Sequence, residues 1–220
     1  MSILSEKNSA YINRSEELRY LGYGENKAEG TIEKILSECE IQIAQAANPK
    51  YVYRKFSREE CPVALRGKAI NSHIEGCTEI ILFAATLGTE IDRIIRLSSV
   101  TDMTRALVLD ACAGAFIEQF CIRADSEIAS EFPEKYLTWR FAPGYDDFPL
   151  DAQESLLKAL DANRKIGLSV SDSLILTPLK SITAVIGVSE NPIENKRRGC
   201  AVCSMRESCK FRKAGSHCGF

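Results

Sequence analysis

The sequence predicts an α+β fold, in which helices pack on a mixed or antiparallel twisted sheet, followed by a separate cysteine-rich tail. Helical segments and short runs of strand-forming residues are mixed along the chain without a regular strand–helix–strand alternation. The 220 residues, 45% hydrophobic and 26% charged, are ordinary for a globular domain with its own core. We expect an α+β domain over residues 1–195 and a basic tail over residues 196–220.

The first half of the chain is predicted to contain two helices and two strands. Isoleucine and leucine recur at helical spacing over residues 31–47, and Pro49 ends this helix because proline cannot continue the backbone ladder. Residues 51–56 alternate like a strand, and residues 79–86 form an apolar run rich in strand formers. After a Leu-Gly break, isoleucines within residues 91–95 predict a short helix.

The longest helical signal covers residues 101–130. Asp102 is the predicted N-cap, because its side chain can accept a hydrogen bond from the first turn. Over residues 106–117 only Asp110 is charged, which predicts a helix buried on most sides. Asp110 and Glu118 are roughly 80° apart around such a helix, so both face one side, either as a solvated stripe or toward a site.

The second half is predicted to contain a helix over residues 150–163 and strands at "LILTP" and "SITAVIGVS". The charged segment "ENKRRG" then predicts a hinge into the tail. We find no internal repeat and no low-complexity segment that would change this order of elements.

The stretch "YLTWRFAPGYDDFPLD" combines residues suited to a small zwitterion. Arg140 presents a rigid charged fork that matches a carboxylate or phosphate. Pro143-Gly144 predicts a tight turn where a ligand can approach the backbone, and Tyr145 adds an aromatic face and a hydroxyl. The alternative for this corner is an ordinary surface turn with Arg140 in an ion pair.

Within this stretch, "RFAPGYDDFP" resembles the R-x-x-x-G-Y-x-x-C-P motif in the activation domain of cobalamin-dependent methionine synthase. "AGAFIEQF" is similar to the A-E-A-F-A-E helix of that family, and "SITAVIGVSENP" to its late S-V-S-G strand. The resemblance covers roughly residues 80–192 and places Phe148 where the family has cysteine. The matched motif residues are Arg140, Ala142, Pro143, Gly144, Tyr145 and Pro149.

The resemblance implies the activation-domain fold and a site for S-adenosylmethionine. Arg140 would hold the methionyl carboxylate, and Ala142 and Gly144 would offer backbone contacts. Tyr145 would lie beside the ligand and the corrin face, which makes it the candidate catalytic residue. Glu118 matches a helix glutamate of the family that faces the site.

Two departures from the family limit what is carried over. Ile186 stands where the family has a tyrosine in the late strand, so the contact on that side of the ligand is not assigned. The family's acidic ligand residue lies in an N-terminal segment that cannot be aligned, so no residue receives that role.

The activity that the resemblance implies is reductive reactivation of a corrinoid protein. A cob(II)alamin would be reduced and then methylated by S-adenosylmethionine. The chain carries no cobalamin-, homocysteine- or folate-binding region, so we expect a free-standing domain that meets a separate corrinoid partner. The favoured partner is a methionine synthase without its own activation domain, with a flavodoxin- or ferredoxin-type reductant. The alternatives are a non-catalytic docking or chaperone module for a corrinoid protein, and an electron-transfer protein that uses its tail.

The nine cysteines fall into two groups. Five are scattered among apolar or small residues, which predicts buried, inert thiols. Four fall within the tail with a C-x2-C pair, which predicts a metal site, either zinc or a [4Fe-4S] cluster, with an incidental basic tail as the alternative. The four tail residues are Cys200, Cys203, Cys209 and Cys218.

Charge and hydropathy indicate the cellular compartment in which we expect the protein. The formal net charge of −2 predicts no bulk attraction to nucleic acid or anionic membranes. No apolar run approaches ~18 residues, and the first 20 residues are too polar for a signal peptide. We therefore expect a cytoplasmic protein without a membrane span.

Overall fold

The computed structural model describes residues 8–23, 26, 28–193 and 207–208. After a 3-10 turn at Ser9–Tyr11, seven helices and six strands follow in these residues. The helices are α1 (Arg14–Tyr20), α2 (Gly30–Ala46), α3 (Lys68–His73), α4 (Thr89–Thr101), α5 (Met103–Ser130), α6 (Ala152–Leu160) and α7 (Ala162–Ile166). The strands are β1 (Lys50–Ser57), β2 (Glu79–Thr86), β3 (Tyr136–Leu137), β4 (Ser169–Val170), β5 (Leu176–Thr177) and β6 (Ser181–Ser189).

Four strands form an antiparallel sheet in the order β1-β2-β6-β3. Central strands β2 and β6 pair along their length, from Glu79 opposite Val188 to Thr86 opposite Ser181. The short strands β4 and β5 pair separately. The fold is therefore α+β with an antiparallel sheet, which confirms the predicted class.

Strand β2 is an apolar run because helices cover the sheet on both faces. Ile81 and Phe83 point into a core shared with α2 and α5. Ile80 and Leu82 point into a second core shared with α3, α6 and α7. All four side chains are fully buried, as expected for a strand without a solvent face.

Helix α5 confirms the longest predicted helix. The Asp102 side chain accepts a hydrogen bond from the Arg105 backbone N–H at 3.0 Å, which makes it the N-cap. Thr101 belongs to α4, so the two helices meet at Asp102. The predicted short helix around residues 91–95 is α4, and it extends further than its isoleucines indicate.

Two predictions for the second half need correction. The helix predicted over residues 150–163 is interrupted, because Asp161 has a φ of +55° and separates α6 from α7. In "LILTP" only Leu176–Thr177 is a strand, and it pairs outside the main sheet. Leu174 has a φ of +59°, and Pro178 has no N–H to donate, so neither end extends the strand.

The five scattered cysteines are free thiols, and burial raises the pKa of each. Cys61 is half-buried, whereas the other four are buried. The pKa of Cys39 rises to about 11. These thiols are therefore protonated at neutral pH, in agreement with the predicted inert role.

Within the described ranges, no helix combines the length and the apolar character that crossing a membrane requires.

Candidate ligand-binding site

The site begins at an irregularity in edge strand β3. After Leu137 pairs with Val188, the next bridge joins Phe141 to Val185, so one more residue lies between the bridges on the edge strand than on β6. Thr138 fills the gap: its N–H donates to the Gly187 carbonyl at 2.9 Å, and its Oγ1 accepts from the Gly187 N–H at 2.8 Å. Such a bulge re-aims the side chains that follow it.

Arg140 follows this bulge and turns toward α5. Its Nε donates to Asp125 Oδ2 at 2.9 Å, and its Nη2 donates to Glu118 Oε2 at 3.3 Å. The Arg140 side chain is only 6% exposed, whereas the two carboxylates are 36% and 43% exposed. Burial works against the guanidinium charge, but the nearby Cys121 thiol and the two carboxylates outweigh it, and the pKa of Arg140 is raised.

The turn after Arg140 is held by its own backbone. The Gly144 N–H donates to the Phe148 carbonyl at 2.8 Å, and the Phe148 N–H donates to the Tyr145 carbonyl at 3.1 Å. Gly144 has a φ of +85°, and a Cβ there would lie 3.0 Å from a Leu150 side-chain carbon. The glycine is therefore required by the turn and its packing, not by ligand clearance as its residue type suggested.

The two aspartates of the corner have different surroundings. The Asp147 carboxylate accepts hydrogen bonds from the backbone N–H groups of Lys68 at 2.6 Å and Ala69 at 2.9 Å. These bonds lower the pKa of Asp147. Asp146 instead lines the cavity described below. Asp147 thus ties the turn to the start of α3, the helix that ends at His73.

The corner also carries an aromatic cluster, formed by His73, Trp139, Phe141 and Tyr145. The Tyr145 ring meets Phe141 edge-on at 5.4 Å and Trp139 edge-on at 6.4 Å between centroids. The His73 ring lies 4.3 Å from Trp139. Its Nε2 is 2.8 Å from the Trp139 carbonyl, which can only accept, so Nε2 carries a proton. Tyr145 itself is 45% exposed.

These groups border a cavity of about 620 Å³. Its walls come from α3, Glu118 of α5, the corner over residues 139–146, the start of α6, residues 174–176 and the start of β6. Arg140, Ala142, Tyr145 and Glu118 all line it, so the structure brings together four of the five ligand-binding residues predicted from the sequence. The walls are largely apolar and carry the charged side chains of Arg140, Glu118 and Asp146, which suits an amphipathic zwitterion.

The remaining sequence assignments are distributed as follows. Of the described residues, Gly144 is not among those that line the cavity, although it shapes the turn. Ile186 is 2% exposed in the core that faces α5, and Phe148 is 1% exposed in the other core. Asp110 and Glu118 do face one side of α5, since both line a neighbouring cavity of about 500 Å³.

Sequence reasoning missed Asp125 and His73. Asp125 lies seven positions after Glu118, which places both on one face of α5, but Arg140 is what connects them. His73 stands in a six-residue helix with no strong periodic signal. One of only two histidines in the chain, it carries no motif spacing that would mark it.

The predicted metal ligands Cys200, Cys203, Cys209 and Cys218 lie outside the described residues, as does most of the tail. Within the described part, no group of three or more His, Cys, Asp and Glu side chains is placed to hold a metal ion. The choice among zinc, an iron–sulfur cluster and an incidental basic tail stays a prediction.

Comparison with solved structures finds strong structural likenesses, of which one is described here. A crystal structure of the MetH reactivation domain bound to AdoHcy superposes with a TM-score of 0.64, covering 88% of this chain and 78% of that chain at 14% identity. No family model matches the sequence, and no curated protein matches it. The chain therefore has the fold of that reactivation domain.

Proposed function

We propose that this chain binds S-adenosylmethionine in the cavity beside Arg140 and Tyr145, and that it serves the reductive reactivation of a corrinoid protein. The observation that most supports this proposal is the position of Arg140. A buried, carboxylate-held guanidinium lines a largely apolar cavity, on the R-x-A-P-G-Y corner of a reactivation-domain fold. The structural neighbour is bound to AdoHcy, the demethylated product of S-adenosylmethionine.

The charges and shape of the cavity support this ligand class. Arg140 offers a fork for the ligand carboxylate, and Glu118 offers a carboxylate for its ammonium group. Ala142 adds backbone groups at the wall, and Gly144 holds the turn that presents them. Tyr145 and Trp139 supply aromatic surface for the remainder of the ligand.

The proposed reaction needs an electron as well as a methyl group. A one-electron donor reduces cob(II)alamin on the partner to cob(I)alamin. The cobalt lone pair then attacks the methyl carbon, the carbon–sulfur bond breaks, and sulfur keeps that bond's electron pair. The products are methylcob(III)alamin and S-adenosylhomocysteine. The protein contributes by holding the sulfonium in line and by excluding water, which lowers the entropic part of the barrier.

The partner is part of the proposal. The corrinoid would be carried by a separate protein, with a methionine synthase lacking its own activation domain as the favoured case. The exposure of the Tyr145 side chain supports its proposed role beside the corrin face. A flavodoxin- or ferredoxin-type protein would supply the electron.

The tail gives a separate prediction about metal. Four cysteines in 19 residues are expected to bind about one zinc ion or one cluster per chain in a reducing environment. Elemental analysis and the visible spectrum of anaerobically purified protein distinguish the two: a cluster absorbs in the visible and bleaches on reduction, whereas zinc is colourless. Metal-free protein with free thiols, prepared without chelator, would contradict both.

The test of the function has two stages. Calorimetric titration with S-adenosylmethionine and AdoHcy should give saturable binding of about one equivalent per chain. The protein is then mixed with a cob(II)alamin-loaded methionine synthase, a reductant and S-adenosylmethionine carrying a labelled methyl group. Label transferred to cobalt supports the proposal. Tight association with the partner without binding of S-adenosylmethionine would instead favour the docking or chaperone alternative.

A further inference from the structure

Of the two carboxylates described at Arg140, Asp125 makes the shorter contact. Its Oδ2 lies 2.9 Å from Arg140 Nε, whereas Glu118 Oε2 lies 3.3 Å from Nη2. Both acids are on the same face of α5, two turns apart, so the helix presents them to different edges of one guanidinium. The two contacts therefore have different consequences for the orientation of the group.

A hydrogen bond at Nε controls where the rest of the guanidinium points. The group is planar and its donors are fixed relative to one another, so a partner held at Nε sets the direction of the Nη edge. Asp125, the partner of Nε, is fixed on helix α5, and the Arg140 side chain is 6% exposed. The guanidinium plane therefore has little freedom to rotate. The Nη2 edge is consequently held on the side of Glu118.

The cavity lies on that same side. Arg140 and Glu118 both line it, whereas Asp125, among the described residues, is not part of its walls. A ligand in the cavity would thus reach the Nη2 edge of Arg140 and the half-exposed Glu118 without touching Asp125. Asp125 acts on such a ligand only through Arg140.

We propose that Asp125 is the positioning residue of this site: it locks Arg140 through Nε so that the Nη2 edge stays presented to the carboxylate of the ligand. The longer, more exposed Glu118 contact opens when the ligand carboxylate takes its place. This role rests on the proposed function, because it assumes a ligand with a carboxylate. It differs from a purely structural role, in which Asp125 only neutralises a buried arginine.

Two ligands separate these roles. AdoHcy carries the amino-acid carboxylate and ammonium groups, whereas methylthioadenosine keeps the thioether sulfur and adenosine but has a methyl group in place of the amino-acid chain. Asp125→Asn, which keeps an oxygen acceptor but loses the charge, is expected to weaken AdoHcy about threefold, and Asp125→Ala about tenfold or more. Methylthioadenosine should change by less than about twofold in both variants, since it makes no use of the Arg140 fork.

Asp110→Asn is the matched control. It removes the same charge from the same helix, at a residue paired with Lys180 and not with Arg140, so both ligands should bind as they do to the wild type. Equal weakening of AdoHcy and methylthioadenosine by Asp125→Asn, or no weakening of either in folded Asp125→Ala, overturns the positioning role.

A second measurement needs no ligand. The Arg140 Nε–H resonance should be protected from solvent exchange in the wild type and in Glu118→Gln, and should lose that protection in Asp125→Ala. Unchanged protection of this N–H in Asp125→Ala overturns the proposal whatever the binding data show.

A wild-type protein that binds neither ligand overturns the proposed function and, with it, the carboxylate role of Arg140. If the wild type binds AdoHcy and methylthioadenosine with different affinities, but the Arg140 Nε–H stays protected in Asp125→Ala, only the role of Asp125 is overturned.

Discussion

Among the described residues, two arginines each contact two carboxylate side chains, and of these two only Arg140 borders the cavity described above. Arg140 meets Asp125 and Glu118 at the cavity wall. Arg14 meets Glu40 at 2.7 Å and Glu33 at 3.0 Å, where these side chains link α1 to α2. The first cluster is presented to a ligand-sized space, whereas the second joins two helices.

The balance of charge differs as well. In the α1–α2 junction, fully buried Glu17 adds a third carboxyl group to the single cation of Arg14. Burial raises the pKa of Glu17 to about 8, helped by a hydrogen bond to Glu40 and by its charge, so Glu17 is protonated at neutral pH. A buried arginine–carboxylate cluster is therefore not itself evidence of a binding site. The adjoining cavity and aromatic surface are what distinguish Arg140.

The largest expected effect tests this distinction directly. Arg140→Ala should weaken S-adenosylmethionine by about 2 kcal/mol or more, because a charge-assisted contact is lost. Arg140→Lys should not restore affinity, since a point charge lacks the fork. Arg14→Ala is the control, and should lower stability while affinity stays unchanged. Calorimetric titration of the folded variants measures these affinities. If Arg140→Ala binds S-adenosylmethionine as tightly as the wild type does, Arg140 does not hold the ligand.

The second effect concerns pH. Because the folded-state pKa of Glu17 is raised above its unfolded value near 4.5, the native protein binds more protons between about pH 4.5 and 8. The free energy of unfolding should therefore fall as pH rises through that window. Glu17→Gln mimics the protonated acid, so it should be more stable than the wild type by about 2 kcal/mol at alkaline pH and similar to it near pH 5.

Urea unfolding of both proteins across the pH range measures this difference. Glu33→Gln provides a control, because Glu33 contacts the same arginine but is about half exposed. Parallel stability profiles for the wild type and Glu17→Gln would show that Glu17 does not hold the proton.

The contrast between the Arg140 and Arg14 clusters also shows which features of the fold and the site could be predicted from the sequence. Helix α5 and strands β2 and β6 were predictable because long apolar patterns identify them, and Arg140 was identified by its motif. Asp125 was not, because its relation to Arg140 depends on the bulge at Thr138, which is set by pairing with a strand some 50 residues away. Interactions across the fold leave no local periodic signal.

The backbone conformation of single residues also depends on interactions across the fold that the local sequence does not reveal. Asp161 ends α6 in a left-handed conformation although the local sequence favours a continuous helix. Gly144 was correctly associated with a turn, where its φ of +85° favours glycine, but the Leu150 side chain that leaves no room for a Cβ is provided only by the folded chain. Propensity indicates which residues tolerate such a geometry, and tertiary packing decides where it occurs.

A smaller effect is expected at Tyr145. Its ring packs edge-on against Phe141, so Tyr145→Phe should preserve the cavity wall. If the hydroxyl acts at the corrin face, methyl transfer should slow by about three- to tenfold while affinity for S-adenosylmethionine changes less. Tyr136→Phe is the matched control, because Tyr136 is equally exposed but lies on β3 outside the corner. Single-turnover methylation with both variants tests this, and identical rates would leave Tyr145 a role in shape alone.

The smallest effect is expected at a third arginine pair, Arg66 with Asp151. One guanidinium nitrogen lies 2.7 and 2.8 Å from the two carboxylate oxygens, closer than either contact of Arg140. Yet the two side chains are 61% and 52% exposed, so water and salt screen the pair. Asp151→Asn should therefore change the free energy of unfolding by less than about 0.5 kcal/mol and leave ligand affinity unchanged. Urea unfolding and calorimetry on this variant measure both quantities. A loss above about 1 kcal/mol would mean that contact distance, rather than burial, ranks the three arginines.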